Sequence, residues 1–259
     1  MSIQTVMVGP APRLAVTVAG EGPLLLFLHG IRGNRRNWQQ QVDVFSREGF
    51  RAAAWDARGY GDSDDYEGAL QFDHFAGDVM RVAEHFGARR MHLVGLSMGG
   101  RIARNVALRF PERLQSLALV STAPGFDALT SDQVKRFVTE NRNPTPDTVR
   151  RLIGSRARKE AAVELADSLS RVRDDSYRKT IVASVAQDRD APIENIRVPT
   201  LVVAGDEDKV YPTRIARELA QRIPGAELVL MRGAGHLPNL ERPGRFNEIL
   251  LDFLQRRSK

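Results

Sequence analysis

The 259-residue sequence has no cysteine. That excludes disulfides, a thiol nucleophile and a cysteine-ligated metal. Aromatic residues are sparse at 7%, and long apolar runs are missing. Leu24–Leu28 is the longest early one, far short of the roughly 20 residues that span a membrane. The opening Met1-Ser2-Ile3-Gln4-Thr5-Val6-Met7 has neither the basic nor the apolar part of a secretion signal. A cytoplasmic protein is therefore expected. The net charge is +6, but there is no block of one sign, because acids are interleaved with the bases along most of the chain. Nucleic acid and membrane are thus not expected as partners. What remains, 42% hydrophobic and 27% charged, suits a globular chain with a full core.

Apolar patterning gives the organisation. Residues 3–8 and 13–19 alternate like two strands of an opening hairpin. Leu24–Leu28 is continuously apolar, as in a strand buried on both faces of a parallel sheet. A helix from Trp38 to about Arg47, capped by Asn37, comes next, then a strand over Arg51–Trp55. A helix over about Asp73–Phe86 follows, with Phe75, Val79, Val82 and Phe86 at helical spacing. Strands at 91–94 and 117–120 flank a further helix. This alternation predicts an α/β fold with a mostly parallel sheet covered by helices on both faces. From about Gly125 to Asp190 the strands stop, and 130–141, 145–153, 160–172 and 175–186 read as helical. Strand–helix alternation resumes at Pro199 and ends in a helix over 242–255. Residues 1–124 and 191–259 are thus read as the core, and 125–190 as a helical cap inserted over it.

Val94–Gly100 reads Val-Gly-Leu-Ser-Met-Gly-Gly. A serine between strand and helix, with Gly95 two before it and Gly99 two after, is a Gly-x-Ser-x-Gly turn in its proper setting. The chain must reverse sharply there, and a Cβ at either glycine would clash. A serine hydroxyl is a weak nucleophile, so it needs a base, and the base needs a carboxylate to orient it. For this type of turn, the order along the chain is serine, acid, histidine. Of the five histidines, only His236 comes late and after a strand. His29 precedes the serine, His92 lies within a strand, and His74 and His85 sit on or beside a helix. The acid comes from Gly205-Asp206-Glu207-Asp208, after the strand that ends at Ala204. Spacing leaves Asp206 and Asp208 both open, and all three acids could equally cap the helix near Pro212. The N–H groups of Met98 and Ile31 are the expected oxyanion donors.

Together these residues resemble the α/β-hydrolase family along nearly the whole chain. Phe27-Leu28-His29-Gly30 resembles its oxyanion loop. Asp56-Ala57-Arg58-Gly59-Tyr60-Gly61-Asp62-Ser63 resembles its Asp-x-Arg-Gly-His-Gly-x-Ser segment, with Tyr60 where histidine is usual. Gly205 to Pro212 matches a Gly-x-x-Asp-x-x-x-Pro pattern, which places the acid on Asp208. Gly235-His236 with Glu241-Arg242-Pro243 matches the histidine loop. Gly95–Ala103, Pro111–Leu114 and Gly235–Glu241 are similar to 3-oxoadipate enol-lactonases, which open a lactone ring in bacterial aromatic catabolism.

The resemblance implies a serine hydrolase of a small carboxylic ester or lactone, with Ser97, Asp208 and His236 as triad and no cofactor or metal. A C–C bond hydrolase of ring-cleavage products, or a cofactor-free perhydrolase, would use the same three residues. A ligand-binding signalling protein on the same fold is a further alternative. Arg142, Arg150, Arg151, Arg156, Arg158 and Lys159 make the cap locally basic. An arginine there that faces the pocket could hold a substrate carboxylate bidentately. Interspersed acids such as Asp147 and Glu164 equally fit solvated helix faces.

Overall fold

A computed structural model describes residues 2–126, 130–132, 145–189 and 191–256. Strands β1 (Gln4–Val8) and β2 (Leu14–Ala19) form the opening hairpin. They continue into β3 (Leu24–Leu28), β4 (Arg51–Trp55), β5 (Met91–Leu96), β6 (Leu114–Val120), β7 (Thr200–Gly205) and β8 (Glu227–Met231). The eight strands form one sheet in the order β1-β2-β4-β3-β5-β6-β7-β8. β2 is antiparallel to β4, and every pair from β4 onward is parallel.

Strand period two splits the core into two layers. Leu24, Leu26 and Leu28 pack on one face with residues of α2 (Asp73–His85), α3 (Met98–Arg109) and α7 (Thr213–Arg222). Leu25 and Phe27 pack on the other with residues of α1 (Gln39–Arg47) and α9 (Pro243–Gln255). There Phe27 stacks on Trp38 at 4.9 Å, and Trp38 meets Phe246 at 5.9 Å. Both faces of the central strands are dry, which is why their sequences read as unbroken apolar runs.

The first helix differs from expectation at its start. A 3₁₀ turn over Arg35–Trp38 precedes α1, and its cap is Asn34, not Asn37. The Asn34 side chain accepts from the N–H of Arg36, and Asn37 Oδ1 accepts from the N–H of Asn34. The two asparagines satisfy each other's turn reciprocally, as in a capping box.

Beyond β6 lie α4 (Pro146–Leu152), α5 (Lys159–Ser170) and α6 (Asp174–Gln187). They correspond to the helices expected at 145–153, 160–172 and 175–186. The helix expected at 130–141 falls mostly outside the described residues. Asp188, at the end of α6, is buried against Arg101 and Arg104 of α3. A buried carboxylate is tolerated there because two guanidiniums hold it. Four-residue α8 (Pro238–Glu241) follows the loop after β8. No helix among the described residues is long and apolar enough to cross a membrane.

Candidate active site

Ser97 stands between β5 and α3 with φ 55° and ψ −115°, in the left-handed half of backbone space that a side chain rarely adopts. Its surroundings hold it there. Its N–H donates to Val120 O at 2.9 Å, and Thr122 Oγ1 donates to its carbonyl at 2.7 Å. A Cβ on Gly95 would run into the Gly99 carbonyl, and a Cβ on Gly99 into the Leu28 carbonyl. The glycines of the motif are thus a packing requirement: strand, turn and helix approach closely at both positions.

Gly30, Ile31, Ser97 and His236 line one cavity of about 240 Å³. His29, two residues before Ile31, is not among the residues that line it. Its Nδ1 lies 2.7 Å from Gly30 O, and its Nε2 accepts from Ala57 N–H at 3.0 Å. A carbonyl only accepts, so the Nδ1 carries the proton. Burial holds the imidazole neutral, below its ordinary range, against the pull of Asp56. His29 therefore ties the loop after β3 to the loop after β4. Met98 opens the first turn of α3, where backbone N–H groups lack helical partners and the helix dipole is positive.

The three acids after β7 go to three different places. Asp206 is exposed, and its Oδ1 accepts from Gly233 N–H at 2.6 Å. Glu207 points outward and takes Ser155 N–H at 2.7 Å and Ser155 Oγ at 2.6 Å. Asp208 is only 5% exposed, and its Oδ2 lies 2.9 Å from His236 Nδ1. Its Oδ1 accepts from Val210 and Tyr211 N–H at 2.8 and 3.0 Å. A carboxylate only accepts, so the shared proton sits on His236 Nδ1, and Nε2 is left as the acceptor. The helix-capping alternative does not hold: α7 has no side-chain cap, and the Asp208 oxygen that the histidine does not use closes the turn at Val210 and Tyr211 ahead of it.

The loop that carries His236 is fastened by the end of α4 and the segment that follows it. His236 N–H donates to Leu152 O at 2.7 Å, and Arg156 N–H donates to Gly233 O at 2.9 Å. Arg158 Nε reaches Leu240 O at 2.8 Å. Glu241, 1% exposed, takes three N–H groups: Gly235 at 2.8 Å and Gly154 at 2.7 Å on Oε2, and Leu237 at 2.9 Å on Oε1. Burial pushes this carboxyl up from its ordinary range, and the three donors counter it. The histidine-loop motif contained Glu241, but its sequence position carries no sign of the long-range bond to Gly154.

Of the basic run, Arg151 lines the cavity, together with Arg32 and Lys209. Arg150 pairs with Asp147, and Arg158 with Glu164, both away from it. Arg142 lies outside the described residues. Arg32 Nη2 also donates to Tyr177 Oη at 2.9 Å. Tyr60 crosses to the helical block too, donating to Thr180 Oγ1 of α6 at 3.0 Å.

The family model described as the alpha/beta hydrolase fold matches residues 23–243. A 2-hydroxy-6-oxononadienedioate/2-hydroxy-6-oxononatrienedioate hydrolase of Paraburkholderia phymatum is 30% identical, over 92% of this chain and 88% of its own. A 3-oxoadipate enol-lactonase of Acinetobacter baylyi is 25% identical, over 90% and 89%. The crystal structure of the enol-lactonase from Burkholderia xenovorans superposes with a TM-score of 0.82 at 28% identity, covering 94% of this chain and 96% of that one.

Proposed function

The chain belongs to the alpha/beta hydrolase family, and we propose that it is a serine hydrolase that cleaves a small carboxylic ester or lactone. One observation carries the reading. The strained Ser97 turn and the His236–Asp208 pair, from three different strand ends, open on one cavity beside the loop of Gly30 and Ile31.

In this reading Ser97 Oγ attacks the carbonyl carbon, and its proton passes to His236 Nε2. Asp208 keeps the imidazole in the tautomer that can accept it and stabilises the cation that forms. The N–H groups of Ile31 and Met98 receive the carbonyl oxygen as it becomes negative. His236 then protonates the leaving oxygen, and an acyl-enzyme remains. Water, deprotonated by His236, attacks the acyl carbon and releases the acid. In a lactone the leaving oxygen stays tethered, so a single ring-opened product results.

The cations lining the cavity add a preference. Arg32, Arg151 and Lys209 line it, and no carboxylate is among the described lining residues. A substrate bearing a carboxylate away from the scissile bond fits this lining better than a neutral one. The 30% identical relative, named for a dienedioate, favours a second reading, C–C bond hydrolysis of a ring-cleavage product by the same three residues.

Hydrolysis rates on nitrophenyl esters, enol-lactones and ring-cleavage diketones test both readings. Ser97→Ala is expected to lower kcat at least about a thousandfold on the preferred substrate. Equal rates in Ser97→Ala and the intact protein would rule out the serine mechanism. Turnover of the diketones alone would replace the first reading with the second.

A further inference from the structure

Three consecutive backbone N–H groups, those of Gly235, His236 and Leu237, are all held from outside their own loop. The first and third end on Glu241, at 2.8 and 2.9 Å. The middle one ends on Leu152 O in the cap, at 2.7 Å. The Glu241 oxygen that holds Gly235 also holds Gly154 of the cap, at 2.7 Å. We propose that Glu241 and the cap segment 152–158 together form a clamp that positions His236, so that this part of the cap belongs to the machinery of the base. The proposal rests on His236 being that base.

The chemistry favours glutamate at this place. Three N–H donors converge on one side chain, and only an acceptor with no hydrogens of its own can take them all. Glutamine would turn an NH2 group toward one of the donors and leave that N–H unsatisfied in a buried site. No arginine or lysine is paired with Glu241 among the described residues, so the N–H groups alone hold it. Burying a carboxylate in this way is costly, which sets it apart from an ordinary loop contact.

The Cα–Cβ direction of His236 follows from the backbone on each side of it, and both sides are pinned. A shift of about 1 Å in a reacting group costs on the order of a hundredfold in rate. The clamp also limits how the pocket can open. The cap cannot lift away as one body without pulling Leu152 O from the base and Gly154 from Glu241. Access must come with residues 152–158 still seated.

The test compares Glu241→Gln with the intact protein and with Ser97→Ala. Three quantities are read well below the melting temperature: kcat, KM on a nitrophenyl ester, and the downfield proton resonance of the imidazole N–H bonded to Asp208. A clamp predicts that Glu241→Gln lowers kcat about 10- to 100-fold, leaves KM within about threefold, and shifts or broadens that resonance. A lower melting temperature with unchanged kcat and an unchanged resonance would overturn it. If Glu241→Gln does not fold, Arg158→Gln removes the 2.8 Å bond to Leu240 O together with the surface pair to Glu164 and should lower kcat several-fold, whereas Glu164→Gln, which removes the pair alone, should leave kcat unchanged. An unchanged kcat in Arg158→Gln would also overturn the clamp. If Ser97→Ala matches the intact protein, the proposed reaction has failed, yet the resonance still reports on the clamp.

Discussion

The sheet and the block of helices that interrupts the strands between β6 and β7 are built by different rules. In the sheet, strands such as Leu24–Leu28 and Thr200–Gly205 are buried along their whole length. The turns at their ends are so tight that a Cβ at Gly95, Gly99 or Gly205 would meet backbone. The helices between β6 and β7 leave large apolar side chains in solvent, with Val163 71% and Val182 63% exposed. Arg150, Arg158 and Arg171 pair with acids on their own surface. The proposed reactive groups Ser97, Asp208 and His236 sit at strand ends of this kind, and the proton transfers proposed for them demand fixed distances. Within the block the exception is the seam at 152–158, where cap backbone is bonded to the histidine loop.

Substitutions can break or sharpen this contrast. The largest effect is expected on the sheet side. Asp208→Asn should lower kcat by about a thousand- to ten-thousandfold in steady-state assays. Asp206→Asn, with its carboxylate on Gly233 N–H, should lower it only a few-fold. The reverse result would move the acid to Asp206.

Acid should reach the sheet through His92 on β5. Its Nδ1 bonds Ser116 Oγ at 2.7 Å, and burial pushes its pKa down to about 4. The unfolded chain takes up that proton near pH 6.5 and the folded chain only near 4. The associated stability is therefore complete above about 6.5 and lost as pH falls toward 4. It amounts to about 3 kcal/mol across that window. His92→Gln should flatten the fall in melting temperature between pH 6.5 and 4. An unchanged slope would show that another group carries it.

On the cap side the effects should be smaller and fall on binding. Arg151→Gln should raise KM for a carboxylate-bearing ester about tenfold, with kcat and the KM of a neutral ester unchanged. A fall in kcat would instead place Arg151 with the reacting groups. Smallest of all, Val163→Ser should change the unfolding free energy by less than about 0.5 kcal/mol. A loss of several kcal/mol would mean that Val163 is covered in solution.

Much of this was legible in the sequence because it is local. Buried parallel strands are continuous apolar runs, and the serine turn needs its glycines within five residues. His236 could be singled out by its place in the chain alone. Asp206 and Asp208 could not be separated by spacing, since the choice depends on which way each side chain leaves the turn. Only the family pattern pointed to Asp208. Asn34 and Asn37 exchanged roles for a similar reason: a 3₁₀ turn before α1 leaves no mark in apolar periodicity. Of the six basic cap residues, Arg151 reaches the cavity through the placement of α4, and no helix pattern encodes that. Glu241 acts through bonds to residues as distant in sequence as Gly154.

Tyr60 is where this chain departs from the histidine that its family segment usually carries. Its hydroxyl spans to Thr180 on α6 at 3.0 Å, and Thr180 in turn donates to Ser176 O at 2.8 Å. The departure therefore has a counterpart 120 residues away. Without the tyrosine hydroxyl the Thr180 oxygen would keep its bond to Ser176 O and lose only the donor from the core. The bond from Tyr60 joins the loop after β4 to α6 through side chains alone. A core taken from one relative and a cap from another would be mismatched wherever that pairing is split.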